Sequence, residues 1–347
     1  MKKQSVGKKL FFHPRNDYTG STRVLANIIE AEYVDQQVFV VVNNIKEGFL
    51  SQLSNVKIIP IYYPLYKGNR IFLVTPILWR IHAFYLAFKY SFKVDTFYIN
   101  TIVPYYAAIV GAIRRKKIIY HIHEKFVVKN CYTKASEWVF NHTTATRIFV
   151  SKYLEEQYPI RKGCPSIVKY NTLPKSFLDK VNVVPIEERH RNTIIMIASL
   201  SKVKGLFTYV DVARKMPDYR FVLILSANKE KIENFFVETL PNNLTIYPSQ
   251  SDIHPFLQKA DLMLNLSIPS LWIETFGMTI LEAMAYGIPS IVPNVGGPTE
   301  LIIDGYNGYC IDVTDVDEII FSIKRALTDI DYWSLVENAL NRFALFS

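Results

Sequence analysis

Short runs of β-branched and aromatic residues alternate with helix-period patterns from one end of this chain to the other. That alternation confines the fold to α/β layers built on parallel sheets. In the first half the runs are Lys9 to His13, Val38 to Val42, Lys57 to Tyr62, Thr96 to Asn100, Lys117 to His123, Arg147 to Ser151 and Ser166 to Asn171, with helical patterns at Ser21 to Glu32 and Tyr105 to Arg114. A second series follows at Thr193 to Ala198, Arg220 to Ser226, Leu244 to Tyr247, Asp261 to Leu266 and Pro289 to Pro293, and Tyr332 to Phe346 reads as a last helix. At 347 residues the chain exceeds what one hydrophobic core usually organises. Two Rossmann-like domains are therefore expected, at residues 1–172 and 192–347. Between them lies a polar linker, 173–191, holding Pro174, Pro185 and the run Glu187, Glu188, Arg189.

Open parallel sheets bind ligands beyond the carboxyl ends of their strands. Polar residues at those ends, His13, Asn100, His123, Ser151, Asn171, Ser199 and Ser267, are thus the first candidates for a site. Two such domains facing one another would line a central cleft.

A chain that is 50% hydrophobic and 20% charged is globular, which excludes a disordered binder. The apolar run before His13 is too short for a signal-peptide core, and Ile71 to Phe92 is interrupted by Arg80, His82 and Lys89. A cytoplasmic protein without a membrane span is expected. Cys131, Cys164 and Cys310 are odd in number and far apart, which fits a reducing compartment and no structural zinc. Residues 1–150 carry 21 basic minus 8 acidic side chains, or +13, whereas the remainder is 19 minus 23, or −4. The first half is expected to meet something anionic: a phosphate-linked acceptor or the inner face of a membrane before nucleic acid.

The stretch richest in chemistry runs from Pro269 through Trp272, Glu274, Phe276 and Gly277 to Glu282 and Pro289. Leu281, Met284 and Ala285 form the apolar face of a short helix, and the amides of Phe276, Gly277, Met278 and Thr279 at its start suit an oxygen-rich or anionic ligand. A carboxylate within such a helix is costly to bury unless it accepts hydrogen bonds, and a vicinal diol such as ribose supplies two. Glu282 stands in that position. Asp315-Val316-Asp317 superficially looks like a metal-binding Asp-x-Asp, but the helical pattern that follows makes it an N-terminal cap. No metal site is expected.

The spacing from Glu274 to Glu282, with Glu-x-Phe-Gly, Leu-Glu-Ala-Met-Ala and Gly-x-Pro, resembles the Glu-x7-Glu motif of the family 4 retaining glycosyltransferases, which have the GT-B fold of two facing Rossmann-like domains. Gly296-Gly297-Pro298-Thr299-Glu300 resembles the family's next loop. The resemblance implies that Glu274 contacts the donor sugar and Glu282 holds the nucleotide ribose. Ser199-Leu200-Ser201-Lys202-Val203-Lys204-Gly205 is similar to the family's Gly-Arg-Leu-x-x-x-Lys-Gly, whose cations neutralise the donor pyrophosphate. Lys204 fills the lysine position; Ala198 and Ser199 depart from the Gly-Arg pair, and Lys202 is the expected replacement charge. In the first half, Gly20 and Ser21 sit where the family has a glycine-rich loop facing the donor phosphates, with serine in place of a second glycine. His123 resembles the family histidine that faces the donor sugar. His121, two residues earlier on the same strand face, is given a packing role.

The implied reaction moves a sugar from a UDP- or GDP-sugar to an acceptor hydroxyl with retention, without metal or cofactor, in lipid-linked or surface-polysaccharide synthesis. A non-hydrolysing sugar-nucleotide epimerase of the same architecture would need no acceptor. A non-catalytic polyanion binder would leave Glu274 and Glu282 unexplained. In the family a further helix commonly follows the last one here and returns to the first domain, so weakened coupling between domains is also expected.

Overall fold

The computed structural model describes residues 8–43, 47–61, 75–127, 130–159 and 161–347. It divides into two compact units, residues 1–169 and 170–347. The end of the run Lys57 to Tyr62, the first residues of Ile71 to Phe92 and the extreme N-terminus lie outside the described residues.

The first unit is a parallel sheet of seven strands: β1 (Lys9–Phe12), β2 (Val38–Val42), β3 (Val56–Pro60), β4 (Thr96–Asn100), β5 (Lys117–Ile122), β6 (Thr146–Phe149) and β7 (Ser166–Val168), in the order β3-β2-β1-β4-β5-β6-β7. Central β4 is buried at every position. A strand covered on both faces by helices has no wet side, which is why it reads as a continuous apolar run instead of an alternation. Helix Gly20–Glu32 packs Leu25, Ala26 and Ile29 onto Phe11, Val38 and Val40.

The second unit repeats the architecture with β8 (Thr193–Ala198), β9 (Arg220–Leu225), β10 (Leu244–Tyr247), β11 (Leu262–Leu264), β12 (Ser290–Pro293) and β13 (Gly308–Ile311), ordered β10-β9-β8-β11-β12-β13 and parallel throughout. The buried Tyr209 hydroxyl lies 2.9 Å from both the Ile194 and Val222 carbonyl oxygens, pinning helix Leu206–Lys215 across β8 and β9. β13 is absent from the runs read in the sequence. It is only four residues long and opens on Gly308, whose φ of +156° brings its Cα against the Ser290 carbonyl.

Residues 173–191, expected as a linker, are built into the second unit. Phe177 is buried with its ring 4.3 Å from that of His254, and Arg189 donates to the carbonyls of Tyr286 and Gly287 at 2.6 and 3.2 Å. The polar residues that look like a linker are therefore a strap bonded to the domain's own helix end.

Each strand order reverses once: between β1 and β4 in the first unit, and between β8 and β11 in the second. Chains leaving neighbouring strands there run to opposite sides of the sheet and open a crevice at the carboxyl ends.

Candidate functional site

At the β8/β11 switch point the chain leaves β8 through exposed Ser199, makes a 3-10 turn at Lys202–Lys204, and enters helix Leu206–Lys215 through Gly205. Gly205 has φ +69°, and a Cβ on it would sit 2.1 Å from the Leu266 carbonyl oxygen. Only glycine lets the segment after β8 lie against the segment after β11. The Ile268 amide then donates to the Val203 carbonyl at 2.9 Å and fastens the two segments together.

That contact brings the Lys204 ammonium 2.6 Å from Glu274 Oε2, 3.4 Å from Ser267 Oγ and 5.4 Å from the centre of the Trp272 ring. The paired side chains are 18% and 22% exposed. For a pair this far removed from water, the cost of desolvating both charges offsets much of their attraction, so the pair by itself is weak evidence of stabilisation. The loops are held by the glycine contact and backbone bonds, and the charges are available for other work.

Glu274 is fixed through its backbone. The Gly297 amide donates to the Glu274 carbonyl at 2.9 Å, and Cβ atoms at Gly296 or Gly297 would lie 2.4 Å from the Glu274 oxygen or 2.1 Å from the Thr275 oxygen. Phe276 anchors the next turn: it is buried, with its ring 6.2 Å from Tyr170 and 6.4 Å from Phe346. Its side chain is core, so the amide alone is left for a ligand. Gly277, at φ +109°, caps helix Met278–Ala285, whose Met278 and Thr279 amides stand in the first turn, where N–H groups lack intrahelical partners. Glu282 lies on this helix and is 1% exposed among buried Leu281, Ala283 and Met284.

The sequence-derived residues thus divide. Lys204, Glu274 and Ser267 converge, with Gly277, Met278, Thr279 and Glu282 on the segment that continues from Glu274. Lys202 and Ser199 are solvent-exposed. Trp272, which sequence reasoning assigned no role, joins the cluster; an aromatic two residues before the acid was the available signal.

The first unit's switch point holds a polar chain in a buried setting. Asn100 Nδ2 donates to His13 Nδ1 at 2.9 Å and to the Ser21 carbonyl at 3.1 Å, and its Oδ1 accepts from His123 Nε2 at 2.8 Å. His13 accepts at Nδ1, so its Nε2 carries the proton and donates to Thr22 Oγ1 at 2.9 Å; Thr22 in turn donates to Asp17 at 2.7 Å. His121 bonds the Tyr98 hydroxyl through Nδ1, and its ring lies 4.3 Å from that of His123, consistent with the shared strand face. Gly20 has open space beside it.

Burial lowers the pKa of His13 to about 4 and of His121 to about 3, and pushes His123 well below the usual imidazole value. Burial raises Glu124, beside His123, to about 7 despite the Ile102 amide it accepts. The signs oppose. Histidines neutral when folded but basic when unfolded give stability that is complete above pH 6.5 and lost as pH falls toward their folded values. Glu124 contributes stability present at low pH and lost as pH rises through about 7. Three imidazoles outweigh one carboxyl, so acid should destabilise the fold between pH 6.5 and 4.5. His13→Gln should flatten that limb of a plot of Tm against pH; an unchanged slope would contradict the assignment.

Asp315 caps helix Val316–Ala326, accepting from the Asp317 and Glu318 amides at 2.9 and 3.2 Å, as its sequence context indicated. Among the described residues no group of three or more His, Cys, Asp or Glu is arranged to hold a metal ion.

Residues 182–342 match the family described as "Glycosyl transferases group 1". An uncharacterized glycosyltransferase of Methanocaldococcus jannaschii is 28% identical over 220 residues, covering 60% of this chain and 59% of that protein. The UDP-Gal:alpha-D-GlcNAc-diphosphoundecaprenol alpha-1,3-galactosyltransferase of Escherichia coli is 23% identical over 211 residues, covering 55% and 54%. The chain thus aligns with less than two thirds of the length of these relatives. Among solved structures, Anabaena HepE in complex with UDP and glucose superposes with a TM-score of 0.76 at 20% identity, covering 98% of this chain and 95% of that one. The sucrose-phosphate synthase of Thermosynechococcus elongatus superposes at 0.72 with 16% identity, covering 97% and 94%. These likenesses establish the fold as GT-B. The family match spans most of the second unit, where Lys204, Glu274 and Glu282 lie, so that unit is similar to the glycosyl transferases group 1 family.

Proposed function

We propose that this chain transfers a sugar from a nucleoside diphosphate donor to an acceptor hydroxyl with retention of configuration. The observation that carries this reading is the Lys204–Glu274 pair at the β8/β11 switch point, 2.6 Å apart, with the first-turn amides of helix Met278–Ala285 following in the same segment. Retention by front-face displacement breaks the bond from the anomeric carbon to the diphosphate oxygen, and the electron pair leaves with the diphosphate. The acceptor oxygen bonds the same face of that carbon, and its proton passes to the departing phosphate. Negative charge grows on the diphosphate, where a lysine and oriented amides stabilise it. Lys204 takes that role, Glu274 accepts from sugar hydroxyls, and Glu282 accepts from the ribose diol. The family resemblance gives His123, just past the carboxyl end of β5, a contact with the sugar. Lys202 and Ser199, exposed beside the turn, border the phosphate position.

The UDP bound by HepE and the UDP-Gal in the galactosyltransferase's name favour a UDP-sugar donor, and the diphosphoundecaprenol in that name favours a lipid-diphosphate-linked acceptor. A panel of UDP- and GDP-sugars should raise Tm with one nucleotide dominant, by mass action on the folded state. The proposed chemistry uses lysine and amides where other transferases use a cation, so no metal or cofactor is required. Turnover should survive exhaustive EDTA treatment. Complete loss, restored only by a particular divalent ion, would overturn metal independence.

A further inference from the structure

Helix Thr75–Ser91 in the first unit has two unlike faces. On one, Ala83, Leu86, Ala87 and Ser91 are buried, and Trp79 and Phe84 lie 6.3 and 6.2 Å from the Tyr106 ring of helix Tyr105–Ile113. On the other, Leu78, Ile81, Tyr85, Phe88 and, just past the helix end, Phe92 are 45 to 63% exposed. Their spacing of three, four, three and four residues makes one continuous stripe. Single exposed apolar residues are ordinary, whereas an aligned row of five in one helix region marks an interaction surface.

The stripe is collared by cations. The Arg114 guanidinium sits 4.1 Å from the centre of the Phe92 ring and 5.4 Å from that of Phe88, and the Lys89 ammonium 5.7 Å from that of Tyr85. Residues 75–117 hold seven Lys and Arg against one acid, Asp95. A second copy of the chain docked face to face would set these like charges against each other. Among the described residues no helix is long and apolar enough to cross a membrane. A helix that buries one face in its own domain and presents aromatic and aliphatic side chains ringed by Lys and Arg fits the boundary between headgroups and acyl chains, where the apolar row enters and the cations meet lipid phosphates.

We infer that the exposed stripe Leu78–Ile81–Tyr85–Phe88–Phe92, with its Lys89 and Arg114 collar, is a docking face for an anionic lipid bilayer. It goes beyond the transfer reaction and does not depend on which sugar is moved.

The test is co-sedimentation of the full chain with vesicles of phosphatidylcholine alone and with about one third phosphatidylglycerol. Binding should be at least about tenfold tighter to the anionic vesicles and should weaken with salt. Ile81→Asp/Phe92→Asp should reduce it at least about tenfold, and Lys89→Glu combined with Lys93→Glu, the exposed cation next to Phe92, should do the same while every residue of the apolar row is kept. Tm and the stabilisation given by UDP should stay unchanged in both, which separates this result from any failure of the donor site. Wild-type binding that is absent, that is equal on neutral vesicles, or that survives both double variants would overturn the inference. So would a concentration-dependent dimer in sedimentation velocity that the Ile81→Asp/Phe92→Asp variant abolishes.

Discussion

Replacing Lys204 with alanine is expected to lower turnover on the order of a hundredfold or more, the usual consequence of removing a fixed stabiliser of developing charge. Donor affinity should fall less, because the first-turn amides of helix Met278–Ala285 remain. Some stability should also be lost, because Glu274 is left largely buried without its partner, and this is read separately from turnover measured on the folded protein. Those three readouts separate the proposed role from a structural one. A lysine that merely braced the loop would lower Tm and leave the turnover of the remaining folded enzyme unaltered. Glu274→Gln is the companion variant: it removes the 2.6 Å ion pair while keeping an acceptor for sugar hydroxyls, so a smaller loss in turnover than that of Lys204→Ala is expected.

Glu282→Ala should act on binding instead. A charged acceptor is worth about 1.5–3 kcal/mol for each hydrogen bond it receives. A carboxylate that holds two ribose hydroxyls should therefore cost on the order of a hundredfold or more in nucleotide Kd when truncated. Titration calorimetry with UDP checks this. An unchanged Kd with a lowered Tm would make Glu282 a packing residue of its helix.

Much of the fold was legible because buried parallel strands leave a strong local signal. Val38–Val42, Thr96–Asn100, Thr193–Ala198 and Leu244–Tyr247 begin and end where their β-branched and aromatic runs do. Gly308–Ile311 left too little: a glycine, a tyrosine, a cysteine and an isoleucine do not form a pattern, and only pairing with β12 makes them a strand. The stretch 173–191 misled for the converse reason. Its polarity is real, but the Arg189 contacts that place it in the second unit reach across about a hundred residues of sequence.

The site shows the same division. Residue types at the strand ends were visible in advance, as His13, Asn100, His123, Ser199 and Ser267 all demonstrate. What joins them was not. The bond from Lys204 to Glu274 spans seventy positions and exists because Gly205 can touch Leu266, a contact no local window contains. Likewise, the chain from His123 through Asn100 and His13 to Thr22 follows from the adjacency of β1, β4 and β5. Lys202 illustrates the limit of counting charges. Two residues from Lys204 in sequence, it lies exposed on the turn, while the partners of Lys204 come from the segment after β11.

The most direct measurement is the release of nucleoside diphosphate from a UDP-sugar panel by wild-type protein and by Lys204→Ala, with and without acceptor. Acceptor-dependent release by the wild type, reduced on the order of a hundredfold in the variant, is the expected result. Conversion of a UDP-sugar without any acceptor, or equal rates for the two proteins, would contradict a transferase built on Lys204 and Glu274.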